Sequence, residues 1–448
     1  MMTNGRKAFI FGFIIIFTLA FCLLVFLTIY TFKFYQNNGN SKDKITVELM
    51  SPWVGMNQRA IALDALIEKY NESQDNVKIV NKSVAPDSFY DKLNTDFSSG
   101  NYHDIIIMPP NYASDRYIDM GYIIPIQDAL DDDEQWKNLF DKSTIKLTTF
   151  NNMIYAMPYE VVYQAMFYNT DLFDKYHLDY PETFEDLLNV CAVFKQHGII
   201  PIAANFSYEG SYLLENIFAS YFPNIDVSTV NGSASADQFG KYISRLKQLY
   251  DLGAFPDNAF QLGDYETKEL FLNKEAAMIV EESAFISEIT NRINEKVQSS
   301  LEKANTDMNI KIGTFPFVQD GDADSTAIIY GLGEGTFFVT DNCKKGGYEE
   351  YIYDFLYFIS QPEQAKFFSE ETYTISAIKS LNSNAYYSNQ MQQGFTLIYE
   401  TRLPLQSPSI FFGKYNWLSK MVKKMPYVLE GQMQPNDLWE GLKELEFD

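Results

Sequence analysis

Apolar residues before residue 110 follow the two periods that distinguish strands from helices. Ile45, Val47 and Leu49 alternate with polar residues, which is typical of a strand with one buried face. The segment from Gln58 to Tyr70 instead carries apolar side chains at helical spacing. The full pattern predicts strand, helix, strand, helix and strand at residues 45–49, 58–70, 77–80, 87–97 and 105–108. Because the third strand is wholly apolar, we expect a parallel sheet covered by helices.

A second unit of helices and strands begins near residue 180. Thr183, with Asp186 three residues later, forms a capping box for a helix that Gly198 ends, and "GIIPIAANF" predicts the next strand. Further helices are predicted at residues 218–222, 239–252 and 267–271, and in a proline-punctuated tail from residue 386 that should pack on the second unit. The sequence therefore predicts two α/β units.

The stretch at residues 153–173 is where we expect the chain to cross between the units. Its apolar run breaks at Pro158, carries a carboxylate at Glu160 and resumes as an extended pattern to Tyr168. Asn169 then suits a turn or a helix start. This pattern predicts a crossing strand, although an ordinary buried strand followed by a turn also fits it.

Charge and composition narrow the classes of function. The 448 residues are 46% apolar, enough for two or three domain-sized units. The chain has 35 basic and 59 acidic residues, giving a formal charge of −24 that repels nucleic acid and anionic lipid. The only basic cluster is Lys420, Lys423 and Lys424, so we expect no nucleic-acid partner.

The N-terminus predicts membrane attachment. Arg6 and Lys7 precede an uncharged run at residues 8–32, which exceeds the ~20 residues that span a bilayer. Positive charges before this run keep the N-terminus inside the cell and place the rest of the chain outside. A lipid-bearing Cys22 is the alternative, because "LAFC" partly matches a lipoprotein signal. Residues 37–44 are expected to form a short tether.

Catalytic and metal-binding motifs are missing from the sequence. Its three histidines lie far apart, and no HExxH, CxxC or GxSxG spacing occurs. A pair of glycosidase carboxylates leaves little trace in sequence, so that enzyme class stays open. Cys191 lies on the apolar face of a helix, which predicts an inert core thiol, and spacing alone leaves open a disulfide with Cys343.

Several segments resemble a known family. The run "IYAMPYE…FYNTDLF" followed by "YPETFEDLL", together with "GIIPIAANF" and "FLNKEAAMIVEESAFI", resembles the family 1 extracellular solute-binding proteins of ABC importers, a group that includes maltose-binding protein. Two departures are Asn273-Lys274, which lacks the usual glycine, and Phe285, where many carbohydrate binders have tryptophan. The resemblance covers the chain from about residue 45 onward.

The resemblance implies a two-lobed α/β fold of the periplasmic-binding-protein type II, in which mixed, mostly parallel sheets are flanked by helices. The implied division is a signal or anchor at 1–36, a tether at 37–44, a first lobe at 45–160 and 333–376, and a second lobe at 161–328 and 377–448. Crossings are expected at residues 160–163, 328–333 and 374–379. The glycines at 331, 333 and 335 lack the lysine of a phosphate loop, so we interpret them as close backbone packing at a crossing.

The resemblance also implies a function. It indicates capture of a sugar or oligosaccharide between the lobes and delivery to an ABC permease, without enzymatic chemistry and without a cofactor. It places these residues near the ligand: Trp53, Asn111, Tyr159, Glu160, Asn205, Tyr208, Glu281, Phe285, Tyr330 and Trp417. A secreted glycoside-acting enzyme and a ligand-binding subunit of a membrane sensor are the alternatives.

Overall fold

A computed structural model describes residues 44–140, 142–207, 212–223, 235–299, 309–323, 328–381, 389–400, 404–405 and 415–443. The predicted membrane segment, Cys22 and Tyr208 lie outside these residues, as does the side chain of Trp417. Among the helices of the described residues, none combines the length and the apolar character needed to cross a bilayer.

Fifteen strands and eighteen α-helices make up the described chain. The strands are β1 (Ile45–Met50), β2 (Val77–Asn81), β3 (Ile105–Ile107), β4 (Ile123–Ile124), β5 (Thr149–Phe150), β6 (Met153–Ile154), β7 (Ala156–Pro158), β8 (Glu160–Asn169), β9 (Ile200–Ala203), β10 (Ala276–Glu282), β11 (Ile310–Gly313), β12 (Ile328–Leu332), β13 (Thr336–Thr340), β14 (Ile375–Ser376) and β15 (Pro404–Leu405). The helices are α1 (Gln58–Ser73), α2 (Pro86–Ser99), α3 (Tyr112–Asp119), α4 (Gln127–Asp132), α5 (Glu134–Lys137), α6 (Lys142–Leu147), α7 (Thr170–Tyr176), α8 (Phe184–Gln196), α9 (Tyr212–Tyr221), α10 (Ser235–Leu252), α11 (Asp264–Leu272), α12 (Phe285–Ser299), α13 (Asn342–Gly346), α14 (Glu349–Ser360), α15 (Pro362–Thr372), α16 (Asn389–Glu400), α17 (Tyr415–Leu429) and α18 (Pro435–Lys443).

The first sheet has the order β2-β1-β3-β13-β4, with β7 also paired to β13. Its first three strands are parallel, as the sequence predicted, whereas β13 runs antiparallel to β3. Helices α1, α14 and α15 cover one face of the sheet through a shared apolar core, and α2 and α3 cover the other. This sheet and its helices form the first lobe.

The second sheet has the order β15-β12-β8-β10-β9, and β11 and β14 also pair with β8. Alternate side chains of β8 enter two different cores: Met166 packs with α8, α9 and α10, whereas Phe167 packs with α11 and α12. Both faces of β8 are therefore buried along most of its length, which explains its nearly continuous apolar sequence. The tail helices α17 and α18 pack against α10, as predicted for the second lobe.

Helix ends and cysteines account for several details of the sequence. Thr183 and Asp186 form the predicted capping box of α8. Lys274 has φ +63°, the left-handed region that favours glycine, at the position where the resembling family carries glycine. Cys191 and Cys343 are both buried and free, so the disulfide that spacing left open is absent between them.

Three neighbouring segments connect the two sheets. One runs from β7 into β8 through Tyr159, one runs from β12 into β13, and β14 lies on the other side of β8. Tyr330 of β12 pairs with Tyr163 of β8, and Ile375 of β14 pairs with Val161. The first two crossings are therefore adjacent, paired strands.

Two glycines let the β12–β13 segment approach β8 closely. A Cβ on Gly335 would lie 2.5 Å from Cγ of Glu160, and a Cβ on Gly333 would lie 2.6 Å from a methyl carbon of Val162. Gly331 differs, because no atom of the described residues lies within 4 Å of the place where its Cβ would be. The close packing proposed for these glycines is confirmed at 333 and 335, while 331 faces open space.

We predict that Gly335→Ala destabilises the protein and that Gly331→Ala does not. The added methyl group at 335 collides with a buried side chain, which typically costs about 1–3 kcal/mol. The free energy of unfolding, measured by urea denaturation, should fall for Gly335→Ala and stay within about 0.5 kcal/mol of wild type for Gly331→Ala. If both substitutions changed the free energy of unfolding equally, the close approach at Gly335 would make no contribution to stability.

Candidate functional site

A buried ion pair links the first lobe to the beginning of β8. Asn57 caps α1 by accepting a hydrogen bond from the backbone N–H of Arg59, which fixes Arg59 in the first turn. Arg59 Nε donates to Glu160 Oε2 at 3.0 Å, and the Gly335 N–H donates to Glu160 Oε1 at 3.0 Å. Glu160 is 0% exposed, so its charge depends on these two donors. Burial opposes the charge on Arg59, but Glu160 and Glu334 outweigh it and raise the pKa of Arg59.

Trp53 lies beside Arg59 and contacts the same group of residues. It follows β1, is only 1% exposed, and its Nε1 donates to Glu334 Oε2 at 2.8 Å. Its ring packs 5.8 Å from that of Phe368, and the Arg59 guanidinium lies 5.9 Å from the ring centre. Trp53 is therefore held between the first-lobe core and the β12–β13 crossing, with little ring surface exposed.

Beside these contacts, Val162, Gln164 and Gly331 of the second sheet form a surface that we call the floor of the site. Val162 and Gln164 follow Glu160 at alternate positions of β8 and so share its face, and Gly331 pairs with Val162. Gln164 Nε2 donates to Glu215 Oε2 at 2.7 Å, and Gln164 Oε1 accepts from Asn216 Nδ2 at 2.8 Å. The half-buried Val162 and the open space over Gly331 leave this floor accessible.

Glu282 completes the floor at the end of β10. It pairs with Gln164 in the antiparallel ladder and is half-buried. Burial, with the nearby charges of Glu160 and Glu334, raises the pKa of Glu282 to about 7, although Arg59 acts in the opposite direction. We use the name junction site for the group formed by Trp53, Arg59, Glu160, Val162, Gln164, Glu282, Gly331 and Glu334.

The junction site has the chemistry of a site for hydrogen-bonding solutes. It combines a guanidinium, three carboxylates and a carboxamide, and among these Arg59 and Glu282 keep unused donors and acceptors for hydroxyl groups. In the described part of the chain, no group of three or more His, Cys, Asp or Glu side chains could hold a metal ion.

Of the eight expected residues whose side chains the structure describes, Trp53 and Glu160 meet in the junction site. Three others serve the fold through hydrogen bonds. Asn111 caps α3 in a capping box with Ser114, and the Tyr159 hydroxyl donates to the Ile359 carbonyl at 3.0 Å. Asn205 is buried and donates to Thr267 Oγ1 at 2.9 Å.

Glu281, Phe285 and Tyr330 belong to the opposite face of the second sheet. Phe285 is 2% exposed and packs edge-on against Phe167 in the core, so its ring is not available for the stacking that its position suggested. Glu281 is buried 4.0 Å from Lys268, and burial raises its pKa well above the ordinary range. Tyr330 is half-buried and packs on the same core. Tyr208 and the Trp417 side chain lie outside the described residues.

Sequence reasoning did not place the other six members of the junction site near the ligand: Arg59, Val162, Gln164, Glu282, Gly331 and Glu334. Strand alternation from Glu160 could have found Gln164. The choice between Glu281 and Glu282 depends on register, because β8 and β10 align Glu281 with Ala165 and Glu282 with Gln164. Arg59 reaches the site only through the placement of α1 beside β8, for which the sequence carries no signal.

Two lobes joined by neighbouring strands, with a polar site where they meet, define the class of two-lobed binding proteins. The sequence matches the family described as bacterial extracellular solute-binding protein over residues 57–366, more than half of its length, so the chain belongs to that family. Membership places it outside the cytoplasm. No curated protein matches the sequence significantly.

Solved structures share the fold at low sequence identity. One, described in work on xylan utilization by the thermophilic bacterium Caldanaerobius polysaccharolyticus, has a TM-score of 0.71 and 19% identity, covering 90% of this chain and 100% of that one. A chitin oligosaccharide binding protein has a TM-score of 0.70 and 17% identity, covering 89% and 98%. Maltose-bound MalE3 from T. maritima has a TM-score of 0.67 and 14% identity, covering 90% and 99%. The predicted two-lobed α/β fold is confirmed.

We predict that Glu282→Gln raises the melting temperature at pH 8 and has little effect at pH 4. The folded protein holds a proton on Glu282 up to about pH 7, whereas the unfolded chain releases it near the ordinary value of 4.5. The stability that protonated Glu282 contributes is therefore fully present below pH 4.5 and is lost as the pH rises through 7. Glutamine does not ionise and avoids that loss.

Thermal unfolding of both proteins between pH 4 and pH 8 measures this difference. Glu275→Gln is the control, because Glu275 is exposed and directly precedes the same strand. A difference between Glu282→Gln and wild type that stays constant with pH contradicts the assignment of a raised pKa to Glu282.

Proposed function

We propose that this protein is the substrate-binding component of a carbohydrate ABC importer. It binds a sugar or oligosaccharide at the junction site and presents it to a permease at the outer face of the membrane. The observation that carries this proposal is the junction site itself, where polar side chains of both lobes surround an open floor at Gly331.

The chemistry of the junction site suits a polyhydroxylated ligand. Sugar hydroxyls are both donors and acceptors, and the site offers the terminal nitrogens of the Arg59 guanidinium and the Glu282 carboxylate. The xylan, chitin-oligosaccharide and maltose contexts of the structural neighbours support the same class of ligand. The membership of the chain in a solute-binding family favours binding over the glycoside-acting enzyme.

Closure of the lobes provides the means of delivery. The proposed first lobe comprises residues 45–160 and 333–376, and the proposed second lobe comprises residues 161–328 and 377–448. A ligand held between them favours the closed form by the difference in its affinity for the two forms. The crossings at β8, β12 and β14 lie side by side and act together as the hinge.

Membrane attachment completes the proposal. The uncharged run at residues 8–32 anchors the protein as a transmembrane helix, with acylated Cys22 as the alternative form of anchor. Either anchor keeps the ligand-bound protein near its permease. Copurification of a sensor kinase in place of the permease would instead identify the receptor of a signalling system.

We predict that a sugar ligand stabilises the folded protein. A thermal-shift panel of galactose, maltotriose, xylobiose and diacetylchitobiose should contain a compound that raises the melting temperature, because a ligand at 100 times its Kd adds about 2.7 kcal/mol of stability. Gly331→Val should fold normally and lose the shift, since its side chain fills the open floor.

The same panel separates the alternatives. Release of reducing sugar from any oligosaccharide identifies an enzyme, and a shift that survives Gly331→Val places the ligand elsewhere. If no compound shifts the melting temperature, the sugar assignment is wrong.

We also predict that a bound sugar shortens the distance between the lobes. Spin labels at Ser73 of α1 and Lys241 of α10 lie on exposed positions of the first and second lobes. Pulsed electron paramagnetic resonance should report a shorter distance with a sugar that binds. An unchanged distance with such a sugar rules out the hinge at these crossings.

A further inference from the structure

Arg59 and Glu282 are brought together from different lobes. Arg59 belongs to α1 beside the first sheet, and Glu282 ends β10 of the second sheet. Their charges interact, since each alters the pKa of the other. They nevertheless form no ion pair with each other, whereas Arg59 Nε lies 3.0 Å from Glu160 Oε2. A gap therefore separates them across the junction site.

The other charged groups of the junction site are already engaged. Glu160 accepts hydrogen bonds from Arg59 and from the Gly335 N–H, and Glu334 accepts one from Trp53. These contacts hold the first lobe against the crossings. Two of the three carboxylates of the site, Glu160 and Glu334, thus already accept hydrogen bonds from specific donors of the protein.

Arg59 and Glu282 keep hydrogen-bonding capacity. A guanidinium has five N–H donors, and Arg59 uses its Nε–H on Glu160 without bonding any other described residue. The Glu282 carboxylate forms no hydrogen bond or ion pair with a described residue. Unused donors of the first lobe and an unused acceptor of the second lobe thus belong to the same site, which has open space at Gly331.

We propose that Arg59 and Glu282 together bind one edge of the sugar, with one hydroxyl donating to the Glu282 carboxylate and a neighbouring hydroxyl oxygen accepting from the Arg59 terminal nitrogens. The inference rests on the proposed function and names the residues that select the ligand. It assigns the ligand a pair of adjacent hydroxyl groups, one to donate to Glu282 and one to accept from Arg59.

Ionised Glu282 is the form that accepts the sugar hydroxyl. The titratable and charged groups that act on Glu282 are Arg59 of α1, Glu160 of β8, Glu334 of the β12–β13 crossing, Lys268 of α11, Tyr212 of α9 and its neighbour Glu281. Since the pKa of Glu282 is about 7 in the free protein, about a tenth of the molecules are ionised at pH 6 and about nine tenths at pH 8. The Kd should therefore fall about tenfold over this range.

Isothermal titration calorimetry between pH 6 and pH 8 tests the proposal, with the sugar that gives the largest shift in the panel of galactose, maltotriose, xylobiose and diacetylchitobiose. Wild type and Glu275→Gln should show the tenfold change in Kd. Glu282→Gln should bind more weakly than wild type at pH 8 and show a Kd independent of pH. Arg59→Lys, which keeps the charge but loses the forked donors, should weaken binding at every pH. Circular dichroism confirms that each variant is folded.

Each outcome is informative. If Glu282→Gln keeps the affinity and pH profile of wild type while the sugar binds, this inference is overturned and the proposed function stands. A panel without any binding sugar overturns the proposed function and, with it, this inference.

Discussion

The ion pair between Arg59 and Glu160 is the interaction on which the arrangement of the two lobes depends. Glu160 has no solvent exposure and stands at the first position of β8, the strand with which most of the second sheet pairs. A buried carboxylate without partners is strongly disfavoured, so α1 and the Gly335 N–H must stay in place for the crossing to exist. The glycines at 333 and 335 are required for the same reason, because any larger side chain would occupy the space of Glu160 or Val162.

Local sequence patterns predicted the elements of the fold well. The alternation at residues 45–49 and the capping box at Thr183 depend on neighbouring residues, and the structure contains both features. The crossing near residue 160 was also predictable, because a carboxylate between apolar runs signals an unusual position. By contrast, the antiparallel entry of β13 into the first sheet depends on contacts between residues far apart in the chain.

The members of the site were harder to predict because they depend on register and on helix placement. Phe285 stands in a segment that resembles the family closely, yet its ring turns to the core shared with Phe167. Glu281 and Glu282 are neighbours with the same chemistry, and only the pairing of β10 with β8 decides which one faces the first lobe. The abundance of aromatic residues did not indicate the site, since most of them pack in the hydrophobic cores of the lobes.

The position of β13 has a consequence for the order of folding. This strand lies inside the first sheet, between β3 and β4. In the sequence, however, all the residues from β8 to β12 separate it from β7. During synthesis, the first sheet therefore lacks an internal strand until residues 336–340 have emerged. Pairings of such long sequence separation form slowly, so the nascent N-terminal half stays incompletely folded. That delay keeps the growing chain in a state suited to passage across a membrane, and it makes folding of the first lobe a late event, completed together with the second.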